Sequence, residues 1–211
     1  MATNSSSKKS SAPAKKSTSK QKQPSLRKAR VISSKIAYKG NLFSIYTDKV
    51  EEPGGVIGER DIIRHNGSVV ILGVDETTNP ADPLIIVERQ YRHAAGQFLL
   101  ELPAGRLDPG ERPLAGAKRE LIEETGYRSK KWSQLVRYYA SPGFLGESMD
   151  IWIARDIVAG EAEPEDDERI DVELYPLSKL LALIYAGKIH DGKTIIGTLL
   201  YDAQRRQALT R

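Results

Sequence analysis

Cysteine is absent from this chain of 211 residues, which excludes disulfides, thiolate metal sites and a cysteine nucleophile. Histidine is scarce: His65, His93 and His190 are the full set, too scattered for a histidine-rich metal centre. No run of about 18 apolar residues occurs, so no helical membrane span is expected. The N-terminus is polar and has no apolar core, which argues against a secretory signal. Together these absences suit a cytoplasmic protein. Acidic residues are missing from positions 1–30, where nine lysines and arginines stand alone.

That last absence divides the chain. With 32 basic and 28 acidic residues in all, the part beyond residue 30 holds 23 basic against 28 acidic, a balance of −5. The basic character therefore belongs to the tail, and the net-acidic remainder is a poor fit to a dedicated nucleic-acid-binding domain. Residues 1–30 are rich in Ser, Lys, Ala and Pro. Such sequence buries too little apolar surface to offset its ordering entropy, so a disordered tail is expected. It reads either as a solubilising segment or as a weak electrostatic tether to nucleic acid or an acidic surface.

From Val31 onward apolar patterning appears. "NLFSIYTDKV", "ERDIIRH" and "GSVVILGVD" are enriched in β-branched and aromatic residues and separated by Gly, Pro and Asn breakers, so three strands are expected. "PLIIVERQY" and "FLLELP" add two more, followed by a helix and then by strands at "SQLVRYYA", "SMDIWIARD" and "RIDVELYP". "LSKLLALIYAGK", with Gly187 at its end, and "KTIIGTLLYDAQRRQAL" read as two closing helices. This order predicts an α/β fold with a mixed sheet between helices.

The helix in the middle carries the chemistry. Pro113 suits its first turn and Gly126 its end. Leu114, Ala117 and Leu121 form an apolar stripe, and Glu120 and Glu124 lie together beside it rather than opposite. Like charges one turn apart repel by roughly 0.2–0.5 kcal/mol. Gly116 precedes Glu120 by one turn and costs about 1 kcal/mol relative to Ala in a helix interior, as though open space were wanted before the carboxylates. Arg119 and Glu123 are spaced to pair, and Glu111 stands in the turn before the helix. The acids are either a solvated face or an oxygen cage for a cation. In the second case Mg²⁺, with Mn²⁺ as the alternative, suits the all-oxygen donor set better than zinc.

Gly105, Glu111, Arg119, Glu120, Leu121, Glu123, Glu124, Gly126 and Tyr127 resemble the Nudix box, G-x5-E-x7-R-E-U-x-E-E-x-G-U, where U is a bulky hydrophobic. Every fixed position is filled; Tyr127 is aromatic where the pattern prefers aliphatic. The resemblance implies the Nudix fold, an α/β/α sandwich with a mixed sheet, and hydrolysis of a diphosphate linked to another moiety. It implies Glu120 and Glu124 as principal metal ligands, with the backbone carbonyl of Ala104 and with Glu111 and Glu123 in support, and Arg119 orienting a carboxylate.

The flanks narrow the resemblance. "RQYR", "ELPAG" and Pro142, 16 residues beyond Gly126, are similar to the ADP-ribose pyrophosphatase branch, whose members act on nucleoside diphosphate sugars. In that branch Glu147 of "SPGFLGE" corresponds to a general base on a mobile loop; Glu163, Glu165, Asp166, Asp167 and Glu168 are the alternatives. Arg60 and Arg92 resemble positions that contact substrate phosphates or stack on adenine, with Phe43 or Tyr46 as the opposite stacking face. Arg89, Tyr91 and His93 are read as packing or dimer contacts. A small N-terminal β subdomain over 31–66, a hydrolase domain over 67–211 and a homodimer that shares its sites are implied as well. Substrates implied are ADP-ribose first, then another nucleotide sugar such as GDP-mannose; a non-catalytic nucleotide-sugar sensor is the reading from a different class.

Overall fold

The computed structural model describes residues 28–162 and 169–209. Most of the basic tail, and with it the expectation of a disordered segment, lies outside the described residues. So do Glu163, Glu165, Asp166, Asp167 and Glu168.

Two sheets are present. The first is antiparallel and comprises β1 (Arg30–Lys39), β2 (Ser44–Glu51) and β3 (Ile57–Ile63), in that order. Sequence patterning starts the strands at Asn41, whereas β1 precedes that point. Its two register shifts, between Val31 and Ser33 and between Ile36 and Tyr38, break the two-residue alternation that betrays a strand. All ten of its residues are exposed.

The second sheet is mixed and runs β10 (Ile170–Pro176), β5 (Leu84–Arg92), β4 (Ser68–Asp75), β9 (Ser148–Arg155), β8 (Lys131–Tyr139). Among its described strands, β4 and β9 pair in parallel and the other neighbours antiparallel. β4 reads "SVVILGVD", a nearly continuous apolar run, because helices cover both of its faces. Val69 and Ile71 face α1 (Pro113–Thr125), packing with Ala117 and Leu121. Val70, Leu72 and Val74 point the other way, into a core closed by Leu177, Leu180 and Leu181 of α2 (Leu177–Tyr185) and Tyr201 of α3 (Gly192–Leu209). The layers are therefore α/β/α, as the residue patterning predicts.

The sheet forks where the functional segment enters. β4 pairs directly with β5 only through Val74–Ile85 and Asp75–Leu84. Beyond that point β6 (Gln97–Glu101) takes the edge of β5 and β7 (Ala104–Arg106) takes the edge of β4. The link between them, Leu102 and Pro103, crosses the fork, and the Ile71 amide donates to the Pro103 carbonyl at 2.8 Å. The residues "ELPAG" thus bridge a split in the sheet.

The seam between α1 and β4 is tight enough to test. Leu121 is fully buried, so Leu121→Ala is expected to lower stability by about 2–5 kcal/mol. The check is a urea titration in which the midpoint falls while the slope is unchanged.

Candidate active site

Glu120 and Glu124 are carboxylates that α1 carries inward, with relative exposures of 8% and 5%. Ala117 and Leu121 set the rotation of the helix by burying completely against β4. The two acids, each three residues on from Ala117 and Leu121, are then brought against β7. The Ala104 amide donates to Glu124 Oε2 at 3.0 Å. At Gly105 the approach is closer: a β-carbon there would lie 1.9 Å from the Glu120 carboxylate. Any side chain at that position would expel the acid.

Gly116 has a different role from the one its position suggests. A β-carbon there would meet Leu107 Cδ2 at 2.6 Å and Glu111 Oε2 at 3.1 Å. The gap in the helix is filled by the preceding loop, so Gly116 seats Leu107 and Glu111 rather than clearing space before Glu120.

Arg119 collects the remaining acids. Its Nη1 donates to Glu120 Oε1 and to Glu123 Oε2, both at 2.8 Å, and its Nε and Nη2 engage Glu111 at 3.2 and 3.0 Å. Nη2 also donates to the Arg106 carbonyl at 3.0 Å, tying the helix to β7. The hydrogen bonds from Arg119, aided by the Asp108 amide, hold the Glu111 carboxyl below the usual range against its desolvation. Hydrogen bonding to Glu111, with the help of Glu123 and Glu120, raises Arg119 in turn against its own desolvation. The Arg119–Glu111 bond therefore weakens as pH falls through the depressed Glu111 value.

A cavity of about 200 Å³ opens beside this cluster, lined by Ser68, Arg92, Ala104, Gly105, Glu147 and Lys193 among others. Two residues singled out in the sequence, Arg92 and Glu147, therefore meet the box at one place. Ser68 Oγ donates to Glu147 Oε1 at 2.6 Å. His65 Nδ1 accepts from the Gly67 amide at 3.0 Å, so a neutral ring carries its proton on Nε2, which lies 3.8 Å from Glu147 Oε1. The loop bearing Glu147 is stitched to β3: Gly146 N donates to Ile63 O at 2.9 Å, and Ile63 N to Phe144 O at 2.7 Å. Glu147 is accordingly held over the cavity in this structure.

Arg60 and Phe43 are placed elsewhere in the chain. Arg60, on β3, pairs with Glu52 at 2.8 Å, and Phe43 lies 6.3 Å from Tyr38 beside the N-terminal sheet. Neither lines the cavity of its own chain. Tyr46 is covered by Arg64 at 4.0 Å. Arg89 stacks on Phe98 at 4.5 Å, and Tyr91 meets Phe98 edge-on at 5.3 Å.

Four participants escaped the sequence reading: Ser68, His65, Glu101 and Lys193. Glu101 is buried, bound by Arg92 Nε and Nη2 at 2.9 and 2.8 Å, and contacted by Lys193 Nζ. Burial acts to raise the Glu101 carboxyl, but Arg92 and Lys193 outweigh it and hold the group below its ordinary value. A lone acid inside the apolar run "FLLELP" was the available signal for Glu101. Nothing local marks Lys193, which arrives from the far end of the sequence.

The family model described as a NUDIX domain matches residues 64–195. The chain belongs to the Nudix hydrolase family. It is 32% identical over 167 residues to an ADP-ribose pyrophosphatase of Bacillus subtilis (strain 168), covering 78% of this chain and 88% of the relative. It is 36% identical over 176 residues to an ADP-ribose pyrophosphatase of Mycobacterium tuberculosis (strain ATCC 25618 / H37Rv), covering 82% of each. A crystal structure of an ADP compounds hydrolase matches with a TM-score of 0.74 at 21% identity, over 88% of this chain and 98% of that one, a likeness of fold alone.

Nudix hydrolases generally depend on a divalent metal. Among the described residues no three acidic or histidine side chains form a ready-made cage; Glu111, Glu120 and Glu123 are each paired with Arg119. The donor chemistry nonetheless fits: two buried carboxylates a turn apart, backbone alongside, and a glycine whose missing β-carbon leaves room for Glu120. Gly105→Ala is therefore expected to weaken Mg²⁺ or Mn²⁺ binding by at least about tenfold while the fold is kept. Calorimetric metal titration, with circular dichroism as the fold control, checks this.

Proposed function

We propose that this Nudix hydrolase is a Mg²⁺-dependent ADP-ribose pyrophosphatase that yields AMP and ribose 5-phosphate. One observation carries the reading: Glu147 and Arg92 line a single cavity with Ala104 and Gly105 of the box. Similarity to the two ADP-ribose pyrophosphatases supports the choice of substrate.

Glu120, Glu124 and the Ala104 carbonyl would hold the metal, with Glu111 and Glu123 in support. Bound there, the metal neutralises pyrophosphate charge and lowers the pKa of water. Glu147 takes the proton from the attacking water as its oxygen bonds to phosphorus and the bridging P–O bond breaks. Ser68 fixes the orientation of that carboxylate, and the His65 Nε2–H faces the same oxygen. Arg92 has both Nε and Nη2 committed to Glu101, which leaves Nη1 for a substrate phosphate. Arg119 would hold Glu123 and Glu111 in register beside Glu120.

The N-terminal sheet, read as a subdomain over 31–66 beside a hydrolase domain over 67–211, supplies the dimer contact in this reading. Val31, Ile36, Tyr38 and Ile57 are all more than half exposed, and apolar exposure on such a scale marks an association surface. A homodimer covers them and carries Arg60 and Phe43 to the partner's substrate. The basic tail adds solubility or a weak contact with nucleic acid, and the protein works in the cytoplasm.

The test is a panel of ADP-ribose, GDP-mannose, NADH, diadenosine polyphosphates and oxidised dGTP with Mg²⁺, read as products separated by chromatography. ADP-ribose is expected to give the highest kcat/KM; a higher value for GDP-mannose would reassign the substrate, and no turnover at all would leave a non-catalytic sensor. Glu124→Gln is expected to reduce turnover by at least about a hundredfold with the unfolding midpoint little changed. Glu147→Gln is expected to lower kcat by about 10²–10⁴ with metal affinity preserved. Equal loss of metal affinity in the second variant would make Glu147 a ligand instead of the base.

A further inference from the structure

The start of α3 acts on the segment that crosses the fork. Asp191 accepts from the Thr194 amide at 3.0 Å and from the Thr194 hydroxyl, the arrangement of an N-terminal helix cap. Thr194 Oγ1 in turn accepts from the Leu102 amide at 2.7 Å. Between them Lys193 is 9% exposed and pairs with Glu101 and, at 3.2 Å, with Asp191. Glu101 receives the two bonds from Arg92. A chain of alternating charge, Asp191–Lys193–Glu101–Arg92, therefore runs from the helix end to the cavity wall.

Packing alone gives a poor account of this chain. Burying charges is unfavourable unless each is paired, and apolar residues of similar volume fill such space at least as well. What apolar residues cannot do is orient a guanidinium. Arg92 is gripped through two nitrogens in one plane, and Nη1 has no hydrogen-bond partner among the described residues. Without Lys193, the Glu101 carboxylate would lose the second cation that anchors its Oε2 and would be free to rotate together with Arg92.

We propose that Lys193 is a positioning residue for substrate binding: through Glu101 it fixes the Arg92 guanidinium in the orientation that receives a phosphate of the nucleotide sugar. The inference rests on the reading of Arg92 as a phosphate contact. It adds a second charge network to the site, on the face of the sheet opposite α1, and gives "DGKT" at 191–194 a part in recognition.

A double-mutant cycle with the full chain, ADP-ribose and saturating Mg²⁺ tests it, with circular dichroism and thermal unfolding as fold controls. Arg92→Ala is expected to raise KM by at least about tenfold, and Lys193→Met by about five- to tenfold with kcat changed less than about twofold. In the Arg92→Ala background, Lys193→Met should change KM by less than about twofold, because its effect passes through the missing guanidinium. Lys193→Arg should restore most of the affinity. Full additivity of the two substitutions, or an unchanged KM in Lys193→Met, would overturn the role of Lys193 while leaving Arg92 in place. An unchanged KM in Arg92→Ala would overturn the reading of Arg92 itself. Should Lys193→Met fail to fold, Lys193→Gln removes the cation while keeping a hydrogen-bond donor toward Glu101, and the cycle is read in the same way.

Discussion

The site depends on one guanidinium holding together carboxylates that would otherwise separate. Two unit charges of like sign about 4 Å apart repel by roughly 4 kcal/mol at an effective dielectric of 20, comparable to a sizeable share of a domain's net stability. Arg119 meets Glu111, Glu120 and Glu123 with three different nitrogens and adds a bond to the Arg106 carbonyl. Lysine could not substitute, since its ammonium is a point charge without the planar fork that spans three partners. The arrangement also has a consequence for binding. Glu120 is held by Arg119 and lies beside the open α-carbon of Gly105, so the position of its carboxylate is set from both sides by the chain itself.

The second constraint is the fork in the sheet. Where β4 and β5 part, the chain between β6 and β7 must satisfy its backbone groups from outside the ladder. Three of the solutions come from three directions. Ile71 N reaches the Pro103 carbonyl from β4, Glu124 receives the Ala104 amide from α1, and Thr194 receives the Leu102 amide from α3. Both helical layers are thus bonded to a stretch of three residues. This explains why functional side chains from opposite faces of a sheet line one cavity: the split lets α1 and α3 approach the same backbone.

Much of this was legible in the sequence, and the boundary of legibility has a physical cause. The span of α1, its buried stripe and the inward turn of Glu120 and Glu124 follow from helical periodicity, which is local. The alternation of β4 between two cores follows from a continuous apolar run with a helix-forming pattern on either side. Arg119–Glu123 is an i,i+4 pair and was readable, whereas Arg119–Glu111 required the loop to fold back into the gap at Gly116. Lys193 and Glu101 are 92 residues apart, Ser68 and Glu147 79 apart; no spacing rule links them. β1 escaped because its bulges scramble the one periodicity that strands possess. What sequence conveys here is the inner face of each element; what it withholds is which faces meet.

One such meeting bears on how the chemistry is organised. Glu147 is the last residue of a loop whose backbone is bonded to Ile63, the final residue of the N-terminal sheet, through both its amide and its carbonyl. Ile63 and Leu145 pair in parallel at that point. Two residues further along, His65 faces the Glu147 carboxylate, and Ser68 at the start of β4 binds it. The segment 63–68 therefore carries the chain from the small sheet into the large one and touches both the backbone of the loop and the side chain of the acid. Any force that shifts β3 relative to β4 must move the loop or break these bonds. The N-terminal sheet is consequently mechanically joined to Glu147 within one chain, and its exposed apolar face is the outer end of that joint. An association that covers the face would steady the acid of its own chain, apart from any group it carries to the partner's cavity.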